Sequence, residues 1–231
     1  MKHLLVIGGN TGIGFEFVKS ARQWYRQNLT YVPKPDELDV TDEHSIDLYL
    51  QRISHGKHPF EIDVAYFAGY NRLMALPDLN PASLRHHFDV NVTGFILLVG
   101  AMAKHWGQTH VSIAAVASDA ARIPMRNSIA YCASKAALVM AVRVAAREMA
   151  PTWRVNCVSP GIVAGTPMTE YIDREVTKQR GWTDEQAADY ERSMIPMGRR
   201  ATKAEIGDLI LSTLHGPEYL TGANLEINGG K

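Results

Sequence analysis

Tyr131 and Lys135 stand four residues apart in Tyr131-Cys132-Ala133-Ser134-Lys135, a spacing that puts both side chains on one face of a helix. A free tyrosine has a pKa of about 10, so only ~0.1% is phenolate at neutral pH. A nearby ammonium favours the phenolate, and each tenfold gain is worth about 1.4 kcal/mol. Such a pair can pass a proton to or from an oxygen of a bound molecule near neutral pH. The spacing alone is a weak sign, because so short a motif recurs by chance and a tyrosine at a helix start also serves simply to cap a core. A second constellation is Gly8-Gly9-Asn10-Thr11-Gly12-Ile13-Gly14. Glycines at 8, 12 and 14 let the backbone turn sharply and let a pyrophosphate approach with no Cβ in the way. A helix starting there turns free N–H groups and the positive end of its dipole toward the phosphates. The plainer alternative is an ordinary glycine-rich strand-to-helix turn.

The elements that would position these groups alternate along the chain. Leu4–Ile7 is a short continuous apolar run, as expected of a strand covered on both faces, and 13–25 reads as the helix after the glycines. Leu29–Val32 is a second run, stopped by Pro33 and Pro35, and Ile62–Ala68 a third. Asn80-Pro81 supplies an N-cap and a proline at the first helical position, and 95–106 continues as a long apolar helix. His110–Val116, Val155–Val158 and Asn224–Ile227 read as further buried strands, with helices over 134–149 and, from a Thr202/Glu205 capping box, 202–214. Strands alternating with helices of this length predict a doubly wound α/β fold: a parallel sheet with helices on both faces.

The chain has 231 residues, 46% of them hydrophobic, with 24 basic against 24 acidic side chains. That length fits one large domain, 1–231, with a core that needs no disulfide or metal staple. The balanced charge provides no basic face for nucleic acid or an anionic membrane. The apolar run 95–103 falls far short of the ~18 residues of a membrane span, and Leu4–Ile7 is too short for a signal-peptide core. Cys132 and Cys157 fit cytosolic thiols better than a disulfide or zinc pattern. His86-His87 with Asp89 invites a metal, but adjacent histidines point to different helix faces, so none is expected. The expectation is a cytoplasmic protein with a small-molecule ligand.

The motifs also occur in a particular order. The glycine turn is followed by Asp39-Val40-Thr41-Asp42, by Asn91-Val92-Thr93-Gly94, by Ser118 thirteen residues before Tyr131, and by Val155-Asn156-Cys157-Val158-Ser159-Pro160-Gly161. Ile195-Pro196-Met197-Gly198-Arg199 and Leu220-Thr221-Gly222-Ala223, then Asn228-Gly229-Gly230, close the series. Over nearly the whole chain this resembles the short-chain dehydrogenase/reductase family, a Rossmann-fold family of NAD(P)-dependent oxidoreductases. The resemblance implies hydride transfer between NAD(P) and a secondary alcohol or ketone. Tyr131 would be the general acid/base, and Lys135 would lower its pKa and bind the nicotinamide ribose. Ser118 would hydrogen-bond the reacting oxygen, and Asn91 would hold the water linking Lys135 to solvent. Gly8, Asn10, Thr11, Gly12, Ile13 and Gly14 would cradle the pyrophosphate side of the cofactor. Asp39, Val40, Ala68 and Gly69 would line its adenosine side, and Pro160, Gly161 and Val163 would pack on the nicotinamide. Ser112, nineteen residues before Tyr131, competes with Ser118 but is expected to face the sheet interior as a satisfied strand hydroxyl. A homodimer or homotetramer is implied, built on the apolar helices 95–106 and 134–149, and 166–197 corresponds to a lid over substrate, with subunit packing as the alternative.

Some positions depart from the family pattern. Ile7 stands where a threonine is usual, and the Asn-Asn-Ala-Gly strand end reads Tyr66-Phe67-Ala68-Gly69, which removes asparagines that brace the sheet. Only six residues separate Val32 from Asp39, so the crossover helix after the second strand is expected to be missing and the adenine pocket open. The threonine expected after Pro160-Gly161 falls at Gly165, with Thr166 one residue late, which implies a one-residue shift. At the end of the second strand, where NAD enzymes place an acid, stand Pro33-Lys34. Lys34 can meet a 2′-phosphate, so NADP(H) is favoured over NAD(H), although Asp36 and Glu37 are close enough to compete and a solvated loop lysine is the plainer reading. The segment Val116–Ala121 with Pro124 is similar to that of dihydroxybenzoate-type dihydrodiol dehydrogenases, with 3-oxoacyl reductases the broad alternative. A non-catalytic nucleotide-sensing or scaffolding relative is the other functional class, and the retained Asn91, Ser118, Tyr131 and Lys135 argue against it.

Overall fold

The structure, a computed structural model, describes residues 2–25, 30–54 and 61–231. Strand β1 (Lys2–Ile7) leads into helix α1 (Gly12–Ala21). β2 (Thr30–Tyr31) is short, and the Leu29 read as its start lies outside the described residues. Helix α2 (Glu43–Ser54) then carries the chain to β3 (Glu61–Tyr66). A short helix α3 (Pro81–Phe88), N-capped by Asn80, passes through a π-helical turn at Asp89–Thr93 into α4 (Gly94–Trp106). β4 (His110–Val116), α5 (Ile129–Met149) and β5 (Trp153–Pro160) follow. The chain finishes with α6 (Pro167–Arg180), α7 (Asp184–Ser193), α8 (Lys203–Leu214) and β6 (Asn224–Ile227).

The six strands among the described residues form one parallel sheet in the order β2-β1-β3-β4-β5-β6. Leu5 is paired with Val64, Val64 with Ile113 and Ile113 with Val155, so the central strands stack apolar residues in register. Alternate residues serve opposite faces. Leu5, Val64, Ile113 and Val155 face the layer of α2, α4 and α5, whereas Leu4, Val6, Ala114 and Val158 face α1 and α8. A strand buried on both faces needs no polar side, which is why β1 reads as a continuous apolar run over Leu4–Ile7. Chain order reverses between β1 and β3, leaving a crevice at their carboxyl ends, where open α/β sheets bind ligands.

One expectation is corrected here. No helix occupies the stretch between Val32 and Asp39, which holds only the turn at 35–37, but a crossover after the second strand is not missing. α2 makes it from downstream, burying Ile46, Tyr49 and Leu50 at helical spacing with Ile53 packed beside them. Its polar majority hid that narrow stripe. α5 is 21 residues long and apolar enough to cross a membrane by length and composition. Yet Tyr131, Lys135, Leu138, Val142 and Ala146 are buried along one side of it, the signature of a core helix.

Candidate active site

At the end of β1 the backbone takes φ +77 at Gly8, a left-handed turn that aims the chain into α1. A Cβ at Gly8 would stand 2.8 Å from the Ala68 amide nitrogen, and one at Gly14 would collide with the Gly8 carbonyl. These two positions therefore accept glycine alone, which keeps β1, β3 and the first turn of α1 in close contact. Thr11 N-caps α1 in extended conformation without spending its hydroxyl on the helix. The first-turn amides thus border a cavity lined by Thr11, Gly12, Ile13 and Gly14, the kind of helix start that suits a phosphate. Asn10 fixes the next loop by donating from Nδ2 to the Pro33 carbonyl at 2.7 Å. Between them lies a cavity of about 260 Å³ lined by Gly8, Asn10, Pro33, Asp39, Val40 and Ala68. One Asp39 carboxylate oxygen accepts from the Thr41 amide and hydroxyl, each at 2.8 Å.

A larger cavity of about 300 Å³ runs from the glycine turn to the start of α6. It brings Gly8, Thr11, Gly12, Ile13 and Gly14 together with Gly69, Ser118, Tyr131, Lys135, Pro160, Gly161 and Val163. Tyr131 and Lys135 lie one turn apart at the start of α5, and both are buried. The Lys135 ammonium is 5.8 Å from the Tyr131 ring centroid and donates to the Val116 carbonyl at 2.9 Å. Gly69 lies against it, so that a Cβ there would just touch Nζ at 3.4 Å. Asn91, fully buried in the π-helical turn, accepts from the Tyr70 amide at 2.7 Å. Its Nδ2 donates to the Tyr70 carbonyl and the Ser134 hydroxyl, both at 2.9 Å. The loop after β3 is thereby tied to the helix that carries Tyr131. Ser118 sits just past β4 with its hydroxyl accepting from the Ala120 amide at 3.2 Å.

Burial pushes the Tyr131 phenol up to about 12, with a Ser118 hydrogen bond pulling it down and the Asp119 charge adding to the rise. Burial likewise lowers Lys135 to about 8. The expectation that the ammonium would hold the phenol down is not met: desolvation dominates, and the downward pull comes from Ser118. At neutral pH the pair is a neutral phenol beside a mostly charged ammonium, the state from which a proton is given rather than taken.

Other predicted residues separate cleanly. Ser112 lies at the opposite end of the sheet, donating to the Leu214 carbonyl at 3.1 Å and accepting from Arg154 at 2.7 Å. His87 is fully buried with both ring nitrogens engaged. Nε2 accepts from the Arg72 amide at 3.1 Å, so Nδ1 is the donor to the Ser83 carbonyl at 2.8 Å, and no lone pair is left for a metal. The one-residue shift after Pro160-Gly161 is absorbed by Gly165 at φ +65, and Thr166 becomes the N-cap of α6, accepting from the Thr169 amide at 3.1 Å. Tyr66 replaces the lost asparagine brace by packing edge-on against Phe95 and donating to the Val90 carbonyl at 3.3 Å. Lys34 is exposed and does not line either cavity, while its amide donates to Glu37 at 3.0 Å. Asn71, Met125, Thr169 and Ile172 complete the larger cavity without having been read as site residues.

A sequence model of the family described as Enoyl-(Acyl carrier protein) reductase matches residues 19–231. L-xylulose reductase of Caenorhabditis elegans is 28% identical over 248 residues, covering 99% of this chain and 95% of that protein. 2,3-Dihydro-2,3-dihydroxybenzoate dehydrogenase of Bacillus subtilis (strain 168) is 30% identical over 203 residues, 83% of this chain and 74% of its own length. A solved small-chain dehydrogenase in complex with NADPH is 26% identical and superposes with a TM-score of 0.79, covering 100% of this chain and 98% of its own.

Proposed function

This chain belongs to the short-chain dehydrogenase/reductase family and is an NAD(P)-dependent oxidoreductase, and we propose that it interconverts a secondary alcohol and its ketone through Ser118, Tyr131, Lys135 and Asn91. The observation that carries this reading is the single cavity joining the glycine cradle to Ser118, Tyr131 and Lys135. The dinucleotide, when bound, supplies or accepts the hydride. Gly8 to Gly14 would hold its pyrophosphate, Asp39, Val40, Ala68 and Gly69 its adenosine side, and Pro160, Gly161 and Val163 its nicotinamide. In the reductive direction the Ser118 hydroxyl and Tyr131 phenol grip the carbonyl oxygen, and Tyr131 Oη gives that oxygen its proton. Lys135 stabilises the phenolate left behind, and Asn91 keeps the route from Lys135 to solvent open. Met125, Met168 and Ile172 form an apolar wall toward the organic part of the substrate, where segment 166–197 acts as the lid. Turnover of a panel containing acetoin, xylulose, a cyclic dihydrodiol and a 3-oxoacyl thioester tests the reading. Binding of reduced cofactor with no turnover anywhere in the panel would favour a nucleotide sensor.

NADP(H) is the cofactor this reading favours. Glu37 is drawn toward Arg52 (3.4 Å) and the Lys34 amide, so its carboxylate is committed outside the adenosine cavity. Of the exposed charged groups left on the loop, Asp36 would repel a 2′-phosphate and Lys34, swung in from outside the cavity, could meet it with a charge-assisted bond worth roughly 1.5–3 kcal/mol. NADPH should bind at least about tenfold more tightly than NADH by fluorescence titration, and Lys34→Ala should erase the difference. Tighter NADH, or an unchanged NADPH affinity in the variant, contradicts the preference.

The outer faces of α4 and α5 expose Ile96 (52%), Met140 (55%) and Val144 (47%). An apolar stripe of that kind on two neighbouring helices suits isologous pairing, so the protein is expected to be a dimer or tetramer. Light scattering at micromolar concentration checks this, a stable monomer being the contrary result.

A further inference from the structure

Arg200 follows segment 166–197, and the sequence offers it only as half of a small basic pair. In the structure its guanidinium reaches two carboxylates on two different helices. Nη1 and Nη2 donate to Asp173 on α6 at 2.9 and 2.7 Å, Nη2 donates to Glu191 on α7 at 2.7 Å, and Nε also donates to Glu191. The two acids raise the pKa of Arg200 further above the usual arginine range. The backbone beside it is fixed to the cavity floor. The Ala201 amide donates to the Ile162 carbonyl at 3.0 Å, and the Ala164 amide to the Ala201 carbonyl at 2.9 Å. Arg200 thus links the strand end carrying Gly161 and Val163 to the two helices above it.

Besides Arg200, the start of α6 is held by the Thr169 hydroxyl donating to the Val163 carbonyl at 2.7 Å, and its end is joined to α7 by Trp182 and Arg180 packed on Tyr190. α6 buries only Thr169, and no residue of α7 is buried. A helix is normally fixed by the apolar face it buries, and here that face is only half-covered, with Met168, Tyr171, Ile172 and Val176 of α6 partly exposed. Polar ties therefore carry a large share of the positioning. On the far side they are single bonds: the Tyr171 hydroxyl accepts from the Leu73 amide at 3.2 Å, and Asn127 donates to Gln179 at 2.7 Å. The double fork at Arg200 is the strongest, since bidentate charge-assisted bonds combine strength with a fixed geometry. Asp173 is next to Ile172, which lines the larger cavity with Met168 and Thr169.

We propose that Arg200 is a positioning residue that grips Asp173 and Glu191 together and so holds the cavity-facing side of α6 in place, setting how tightly the organic part of the substrate is captured without touching the reacting atoms. This rests on the reading of the larger cavity as the substrate site. Arg200→Lys keeps the charge but cannot fork onto two carboxylates, and Asp173→Asn removes one prong. In the intact protein, amide hydrogen exchange over 167–193 should accelerate about tenfold or more in either variant, while the sheet stays protected. With NADPH and acetoin or xylulose, KM should rise about tenfold, with kcat changed less than about threefold and NADPH affinity unchanged. The double variant should be no worse than the more affected single one, because both break one latch. Unchanged exchange over 167–193 overturns the proposal. So does a fall in kcat at constant KM, which would place Arg200 in the chemistry, or faster exchange throughout the sheet, which would make it a support of the whole fold. A wild-type protein that reduces neither ketone would sink the oxidoreductase reading, and the exchange experiment would still decide the latch.

Discussion

Tyr131→Phe is expected to lower turnover by about three orders of magnitude while leaving cofactor affinity and fold intact, within the range that general acid–base groups contribute. The substitution keeps the ring, which is 7% exposed and packed at the start of α5, and removes only the hydroxyl beside Ser118. Burial holds that phenol up to about 12, so at neutral pH the wild-type group carries the proton a carbonyl oxygen must receive. Steady-state kinetics together with fluorescence titration of NADPH separates the two effects. A variant that keeps most of its turnover on any substrate found would remove Tyr131 from the chemistry.

Lys135→Met should fail in two ways at once. Turnover should fall at least about a hundredfold and cofactor affinity about tenfold, because one ammonium both serves the phenol and binds the ribose hydroxyls. Stability provides an independent readout. Burial lowers Lys135 to about 8 in the folded protein, against 10.5 ordinarily. Between those values the unfolded chain binds the extra proton, so stability rises with pH across that window. The penalty for burying the charge is fully present below the folded value and gone above the unfolded one, a span on the order of 3 kcal/mol. Urea unfolding of the wild type relative to Lys135→Met should show this rise, and the variant should lack it. A parallel pH dependence in both proteins would mean that Lys135 is not desolvated as the structure has it. Above pH 10 the raised Tyr131 acts in the opposite sense, since the folded state then holds the proton longer.

The sheet was legible in the sequence because strands covered on both faces are mostly apolar, a pattern that Leu4–Ile7 carries without interruption and His110–Val116 with only Ser112 inside it. α8 was legible from its Thr202/Glu205 capping box, which is formed in the structure. α2 was not, because its buried Ile46, Tyr49 and Leu50 are a narrow stripe in a polar helix. Of the residues gathered in the larger cavity, the glycine turn and the Tyr131/Lys135 pair could be read from spacing, and Ser118 from the family resemblance. Asn71 and Met125 could not, since they reach the cavity from loops whose paths are set by tertiary contacts, the Met74 amide bonding the Asn127 carbonyl at 2.7 Å among them. The pKa balance was also out of reach, because proximity of an ammonium can be read from i, i+4 spacing but the depth of burial cannot. Arg200 escaped for a related reason. Its partners lie 27 and 9 residues away, and only the fold brings both to one guanidinium.

Hydride transfer itself tests the central claim most directly. Wild-type protein mixed with reduced NADP deuterated at the transferable position, and with acetoin, xylulose, a cyclic ketone and a 3-oxoacyl thioester in turn, can be followed by mass spectrometry of the alcohol formed. The account predicts one deuterium at the new carbinol carbon for at least one ketone, and loss of that product in Tyr131→Phe under conditions where NADPH still binds. Tight binding of the reduced cofactor with no deuterated alcohol from any of the ketones, or equal labelling by wild type and Tyr131→Phe, would contradict it.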